Sequence, residues 1–136
     1  MKKLLFFLLT ITFFACAERK TDPREAIIWE FLDNLKNEKV SPKLLQSEYF
    51  VESQSWGKAT VEAYLQTLGQ IKELMAKSRE IKVMTYAEAR SRAEDIPFVD
   101  DPQIDNLFVI KMNDRYIFCL MNGDKIKSLQ VLLKLI

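Results

Sequence analysis

The sequence predicts an α+β domain, with three N-terminal helices packed on a curved antiparallel sheet. Three observations predict it. Up to Ser78, apolar residues recur at i, i+3, i+4 and i+7, the spacing of one helix face. After Ser78 the apolar period drops to two, as in half-buried strands. Asp22-Pro23 and Ser41-Pro42 are cap-then-proline pairs. They mark helix starts, because proline loses nothing at the first helical position, where the missing N–H has no intrahelical partner.

The chain opens on Lys2 and Lys3, then an eleven-residue stretch, 4–14, broken only by Thr10 and Thr12, and then Ala15-Cys16. A basic start, a short apolar run and a small-residue exit describe a secretory signal over residues 1–15. The run falls well short of the ~20 residues of a membrane-spanning helix. Phe13-Phe14-Ala15-Cys16 resembles the lipobox of bacterial lipoproteins, although such boxes usually carry Leu and a small residue where Phe13 and Phe14 stand. That resemblance implies acylation of Cys16, cleavage just before it, and a membrane partner reached through the lipid. The alternative is cleavage after Ala15-Cys16-Ala17, which releases a soluble chain beginning at Glu18. With Cys16 acylated, residues 16–21 are the lipidated Cys and a short tether, and residues 22–136 are a single domain. The implied location is the bacterial cell envelope, on the periplasmic or outer-membrane face.

Without its first 15 residues the 136-residue chain keeps 121, enough for one domain with a real core. Of 20 basic and 19 acidic residues, Lys2 and Lys3 leave with the signal, giving 18 against 19. Nucleic acid is therefore not an expected partner, since it calls for a clustered basic excess. Histidine is absent from the chain. That removes the side chain most used for proton transfer near neutrality and the commonest metal ligand. No cofactor and no metal is expected. Cys119 is the second of two cysteines, so lipidation of Cys16 leaves no internal disulfide.

The first helix starts at Asp22-Pro23, with Glu25 as the third member of a capping box, and runs to about Glu38. Its inward face is Ile28, Phe31, Leu32 and Leu35, with Trp29 as core or rim packing. A second, shorter helix runs from Ser41-Pro42 to about Gln46 with Leu44 and Leu45 facing inward, and residues 49–51 suggest a brief strand. A loop follows, carrying Trp56. The third helix, 59–77, has the stripe Val61, Tyr64, Leu65, Leu68, Ile71 and Met75, and Gly69 within it suggests close approach to a neighbour. Alternation over 81–90 predicts one long strand, with Lys82, Tyr86, Glu88 and Arg90 on its solvated face. Residues 93–106 form an acidic loop. Strands 107–112 and 115–121 are joined by Asn113-Asp114, a pair suited to a two-residue hairpin. A last strand, 126–135, turns its odd-numbered residues inward from Leu129, and Leu132 breaks that pattern.

This order of elements resembles the nuclear-transport-factor-like cone shared by polyketide cyclase and ketosteroid isomerase relatives, across residues 22–136. A cystatin-like single helix on a sheet is the next most similar arrangement, but it lacks room for three helices. The cone resemblance implies a sheet wrapped round the long helix, with a pocket at the open end. Enzymes of that family use an Asp–His pair, or a buried Asp with a Tyr donor. This chain has no His, which leaves Tyr64, Tyr86 and Tyr116 as phenols, with Glu88 two residues from Tyr86 on one strand face.

The residues carry blander readings too. Asp95, Asp100, Asp101 and Asp105 lack the glycine of a calcium loop and bracket two prolines, so they read as a solvated loop. Cys119, mid-strand, reads as a small buried hydrophobe. Lys82, Arg90 and Arg92 read as a solvated strand end. The expected function is a non-catalytic module that binds an envelope protein partner or a small apolar ligand through Trp56, Tyr64 and Tyr86. The alternatives are an isomerase/cyclase-type enzyme or a structural subunit of a membrane complex. Trp56 leads the site because it lies on a loop, so its removal is expected to spare the thermal midpoint.

Overall fold

The computed structural model describes residues 22–92 and 96–132. The expected signal peptide, Cys16 and its tether lie outside the described residues, as do Asp95 and the last strand's expected end at 133–135. What is described is α+β, with four antiparallel strands in an open sheet and several helices.

Helix α1 is Pro23–Lys36. Asp22 caps it, its Oδ1 accepting from the Arg24 amide at 2.9 Å. Ile28, Phe31, Leu32 and Leu35 are its buried face. Helix α2, Pro42–Tyr49, is capped by Ser41, whose Oγ accepts from the Leu44 amide at 3.1 Å. The expected strand at 49–51 reduces to a single parallel bridge between Phe50 and Ile126, with the Val51 amide donating to the Ile126 carbonyl. Tyr49 is still helical. After a 3₁₀ turn at Ser53–Ser55, helix α3 spans Lys58–Lys77 and buries Tyr64, Leu68, Ile71 and Met75. Two expected inward residues stay outside: Leu44 is 45% exposed and Leu65 46%. Gly69 is exposed with no atom near its missing Cβ, so the close approach it suggested is absent. None of the described helices is long and apolar enough to cross a membrane.

The largest correction falls after Ser78. The expected strand over 81–90 stops at Thr85, giving β1 as Ile81–Thr85 and a helix α4 at Tyr86–Ser91. Thr85 is extended and its Oγ1 accepts from the Glu88 amide at 3.1 Å, a helix cap. Thr85-Tyr86-Ala87-Glu88 has the Thr-x-x-Glu spacing of a capping box. That local signal outweighs the alternation, because satisfying orphan helix amides stabilises a start by about 1 kcal/mol.

Strands β2 (Leu107–Met112), β3 (Arg115–Asn122) and β4 (Lys125–Val131) complete the sheet in the order β1-β2-β3-β4. The β2–β3 turn puts Asn113 in the left-handed region at φ 56°, and Gly123 takes φ 61° in the next turn. Both are residue types that tolerate it. Leu120 faces Ser128 while Met121 faces Ile126, so Lys127 is the extra residue of a bulge.

Each face of the sheet carries a buried apolar cluster. Phe108, Ile110, Met112, Ile117, Cys119, Met121 and Ile126 join the inward faces of α1, α2 and α3 in one cluster. On the other face Met84, Leu107, Val109 and Phe118 form a second cluster with Tyr86, Ala89 and Ile96. The face read as solvated is therefore a second core, with Met84 2% and Tyr86 4% exposed. Leu132 packs against this second cluster, which is why it broke the inward pattern.

Candidate functional site

The outer face of the sheet is covered by α4 and by the segment 96–106, and that segment is tied down at both ends. At its start the Tyr86 hydroxyl donates to the Pro97 carbonyl at 3.1 Å and accepts from the Val99 amide at 2.8 Å. Arg90 Nη1 donates to the Ile96 carbonyl at 3.4 Å, and its guanidinium lies 5.6 Å from the Phe98 ring centre. At its end Arg24 of α1 donates from Nη1 to Asn106 Oδ1 at 2.8 Å and from Nη2 to the Asp105 carbonyl at 3.3 Å. Asp22 orients that arginine through an ion pair of 2.8 Å, which holds the Asp22 carboxyl below its ordinary range. Between the ends, the Ile104 and Asn106 amides donate to the Asp101 and Gln103 carbonyls, closing a tight turn.

Where this segment crosses β3 and β4 it leaves a cleft of about 210 Å³. Its apolar side is Leu107, Phe118 and Leu120 from the sheet, with Val99 and Ile104 from the covering segment. The polar side is Ser128 and Gln130 on β4, with Asp101 and Gln103 at the turn. Strand register explains the division. Leu120 pairs with Ser128 and Phe118 with Gln130, so β3 brings apolar residues and β4 polar ones to the same face. Phe118 is 9% exposed and forms an edge contact with Tyr86 at 6.1 Å. The tie that positions Val99 thus also supports the aromatic floor.

Two larger hollows are lined by charge. One, of about 320 Å³, lies by Glu30, Glu48, Asp124 and Lys125. Tyr49 donates there to Glu30 Oε1 at 2.8 Å and accepts from Asn34 Nδ2 at 2.6 Å, and desolvation raises its pKa. Lys125 donates to the Glu48 carbonyl. The other, of about 460 Å³, is a groove between the ends of α1 and α3, with Lys36, Glu38 and Lys72 around Leu35 and Met75.

The three aromatics expected to share a site do not meet. Trp56 and Tyr64 are neighbours in the helix-side cluster, with Trp56 5.5 Å from Phe50 and 5.3 Å from Tyr64 between ring centres. Trp56 is half-buried, and Tyr64 is buried and donates to the Pro42 carbonyl at 2.8 Å. Burial raises the Tyr64 pKa well above the ordinary phenol range. Tyr86 lies on the opposite face of the sheet, behind the cleft. The expected Tyr86–Glu88 pairing on one strand face is overturned, since both residues lie on α4 and Glu88 faces Arg92 at 3.8 Å. Cys119 is fully buried, and desolvation pushes its thiol up to about 12. Among the described residues no three carboxylates or thiols converge as metal ligands.

Reading residues by alternation missed the cleft because it treated one sheet face as solvent-facing. Two signals marked it: the unbroken apolar run Leu107-Phe108-Val109-Ile110, as in strands covered on both sides, and the misplaced Leu132. Comparison with known proteins finds no matching protein-family model, curated protein or solved structure.

Proposed function

We propose that this chain is a cell-envelope lipoprotein, anchored through Cys16, whose domain binds a small apolar ligand or a partner's apolar group without transforming it. The cleft on the outer sheet face carries this reading. It has an apolar floor and wall, a polar rim, and a cover tied down at both ends by Tyr86 and Arg24. Binding sites commonly combine an apolar lining with a few placed polar groups. At about 210 Å³ it lies below the ~300–1,000 Å³ of sites for drug-sized molecules, so its occupant is small. In this reading the cleft takes the role that Trp56, Tyr64 and Tyr86 were expected to share. In the same reading the domain is a nuclear-transport-factor-like cone, three helices on a curved sheet, the arrangement that the order of elements along the chain supports. The Lys-apolar-Ala-Cys order at the N-terminus supports the anchor, because acyl chains added at Cys16 hold a protein stably at a bilayer once two or more are present.

One preparation of the mature protein tests both parts. Its mass is expected to show an acylated chain beginning at Cys16, whereas an unmodified chain beginning at Glu18 refutes the anchor. In the same preparation, small apolar fragments are expected to shift the NMR signals of Val99, Ile104, Leu107 and Leu120 saturably. Shifts confined to other surfaces refute the cleft. Turnover of any fragment, lost on altering Glu88 or Tyr86, replaces the binding reading with the isomerase/cyclase one.

A further inference from the structure

Resting on the reading of the outer-face cleft as a binding site, we infer that it selects a cationic occupant: a compact primary ammonium carried on an aromatic or branched apolar body. Four observations lead there. First, among the described residues lining the cleft, Asp101 is the charged one, and the others are apolar or neutral polar. Second, that carboxylate is oriented. Its Oδ1 accepts from the Gln103 amide at 2.8 Å within the turn closed by the Ile104 and Asn106 amides, which fixes the carboxylate beside the cleft it lines. Third, the floor opposite the rim is aromatic, since Phe118 lies under the cleft with its ring fixed against Tyr86. An aromatic ring packs apolar groups, and its electron-rich face attracts a cation. Fourth, the size is selective. A cavity of ~150 Å³ holds benzene, so about 210 Å³ holds a phenyl-sized body with a short arm.

Charge sets the sign of selection. A carboxylate on the ligand would meet Asp101 with no cation among the described lining residues to offset it, whereas an ammonium gains a charge-assisted hydrogen bond. Ser128 and Gln130, on the β4 side, accept the ammonium's remaining donors. Because Asp101 is at an exposed rim, its effect is moderate, on the order of fivefold in affinity. The apolar floor supplies the rest and is indifferent to charge.

The test uses the full mature chain and three probes with one ring and a short arm: phenethylammonium, 2-phenylethanol and phenylacetate. NMR titration is expected to place all binding at Val99, Ile104 and Leu120. Phenethylammonium should bind about fivefold more tightly than the alcohol, and phenylacetate more weakly than either. Asp101→Asn should remove the preference for the ammonium over the alcohol, so that the two bind within about twofold of each other. Leu120→Trp, which fills the cleft, should abolish binding of all three, with the thermal midpoint of each variant showing that it is folded. Phenylacetate binding as tightly as phenethylammonium, a preference that survives Asp101→Asn, or binding of none of the probes would overturn the inference. If the alcohol binds but no charge preference appears, the cleft remains a binding site and only the cationic assignment falls.

Discussion

At the scale of the residue, Trp56 shows how a loop position can be structural. It follows a 3₁₀ turn entered through Glu52 at φ 51°, and its ring lies against both Phe50 and Tyr64. Phe50 in turn packs edge-on against Phe31 and Tyr64, so Trp56 closes a chain of rings over the helix-side core. Aromatic pairs of this geometry contribute ~0.5–1.5 kcal/mol beyond area burial. Trp56→Ala is therefore expected to cost about 2 kcal/mol, less than the ~3–5 kcal/mol of a fully buried ring. The thermal midpoint should fall by several degrees. This reverses the expectation drawn from the loop position alone, and differential scanning calorimetry decides between them. An unchanged midpoint would return Trp56 to the list of binding residues.

At the scale of the element, helix starts and turns are written locally. Asp22-Pro23 and Ser41-Pro42 begin α1 and α2 within a residue of where the pairs stand, and Asn113 and Gly123 take the positive φ their turns require. These features depend on a few neighbouring backbone groups, so a short stretch of sequence contains their cause. Gly69 is the instructive case inside α3. Nothing approaches the position a Cβ would occupy, and the residue is exposed. Its absent side chain thus offers no packing gain against the helix-propensity cost. Gly69→Ala is expected to stabilise the domain by about 0.5–1 kcal/mol, read as a rise in the urea midpoint with an unchanged slope. A fall in that midpoint would mean that Gly69 meets a neighbour after all. The start of α4 was equally local, yet alternation across 81–90 concealed it. Tyr86, Ala87, Glu88 and Ala89 alternate in size as a strand does, while Thr85 and Glu88 are placed as a helix cap.

At the scale of the whole molecule, the sheet is a partition between two apolar clusters. Helices α1, α2 and α3 bury one face, and α4 with the segment 96–106 buries the other. Arg24 couples the two sides. Its amide donates to the capping Asp22 of α1, its guanidinium stacks 4.9 Å over the Phe108 ring on the helix side, and it donates to Asn106 and Asp105 of the outer cover. The acidic segment that reads as a solvated loop therefore has apolar residues on its inner side. Ile96 is 6% exposed, and Val99 and Ile104 pack against the second cluster, while Asp100 and Asp105 are exposed and Asp101 stands at the rim of the cleft. At the cleft the cover leaves Leu120 half-buried beside the exposed Ser128.

The sequence by itself determined the α+β class, the starts of α1 and α2, the hairpin at Asn113 and the inward residues of α1, for their causes lie within a few residues along the chain. Tertiary structure decided the rest. Met84 and Tyr86 share a strand pattern with Lys82, and alternation reports only that two faces differ, not what each face meets. Whether a face is solvated depends on which distant segment lies across it. The residues that cover the outer face, Ile96, Val99 and Ile104, stand among aspartates and prolines with no periodicity of their own. The same reason separates Trp56 and Tyr64 from Tyr86, and brings Asp101, Phe118 and Gln130 to one cleft from three stretches of chain.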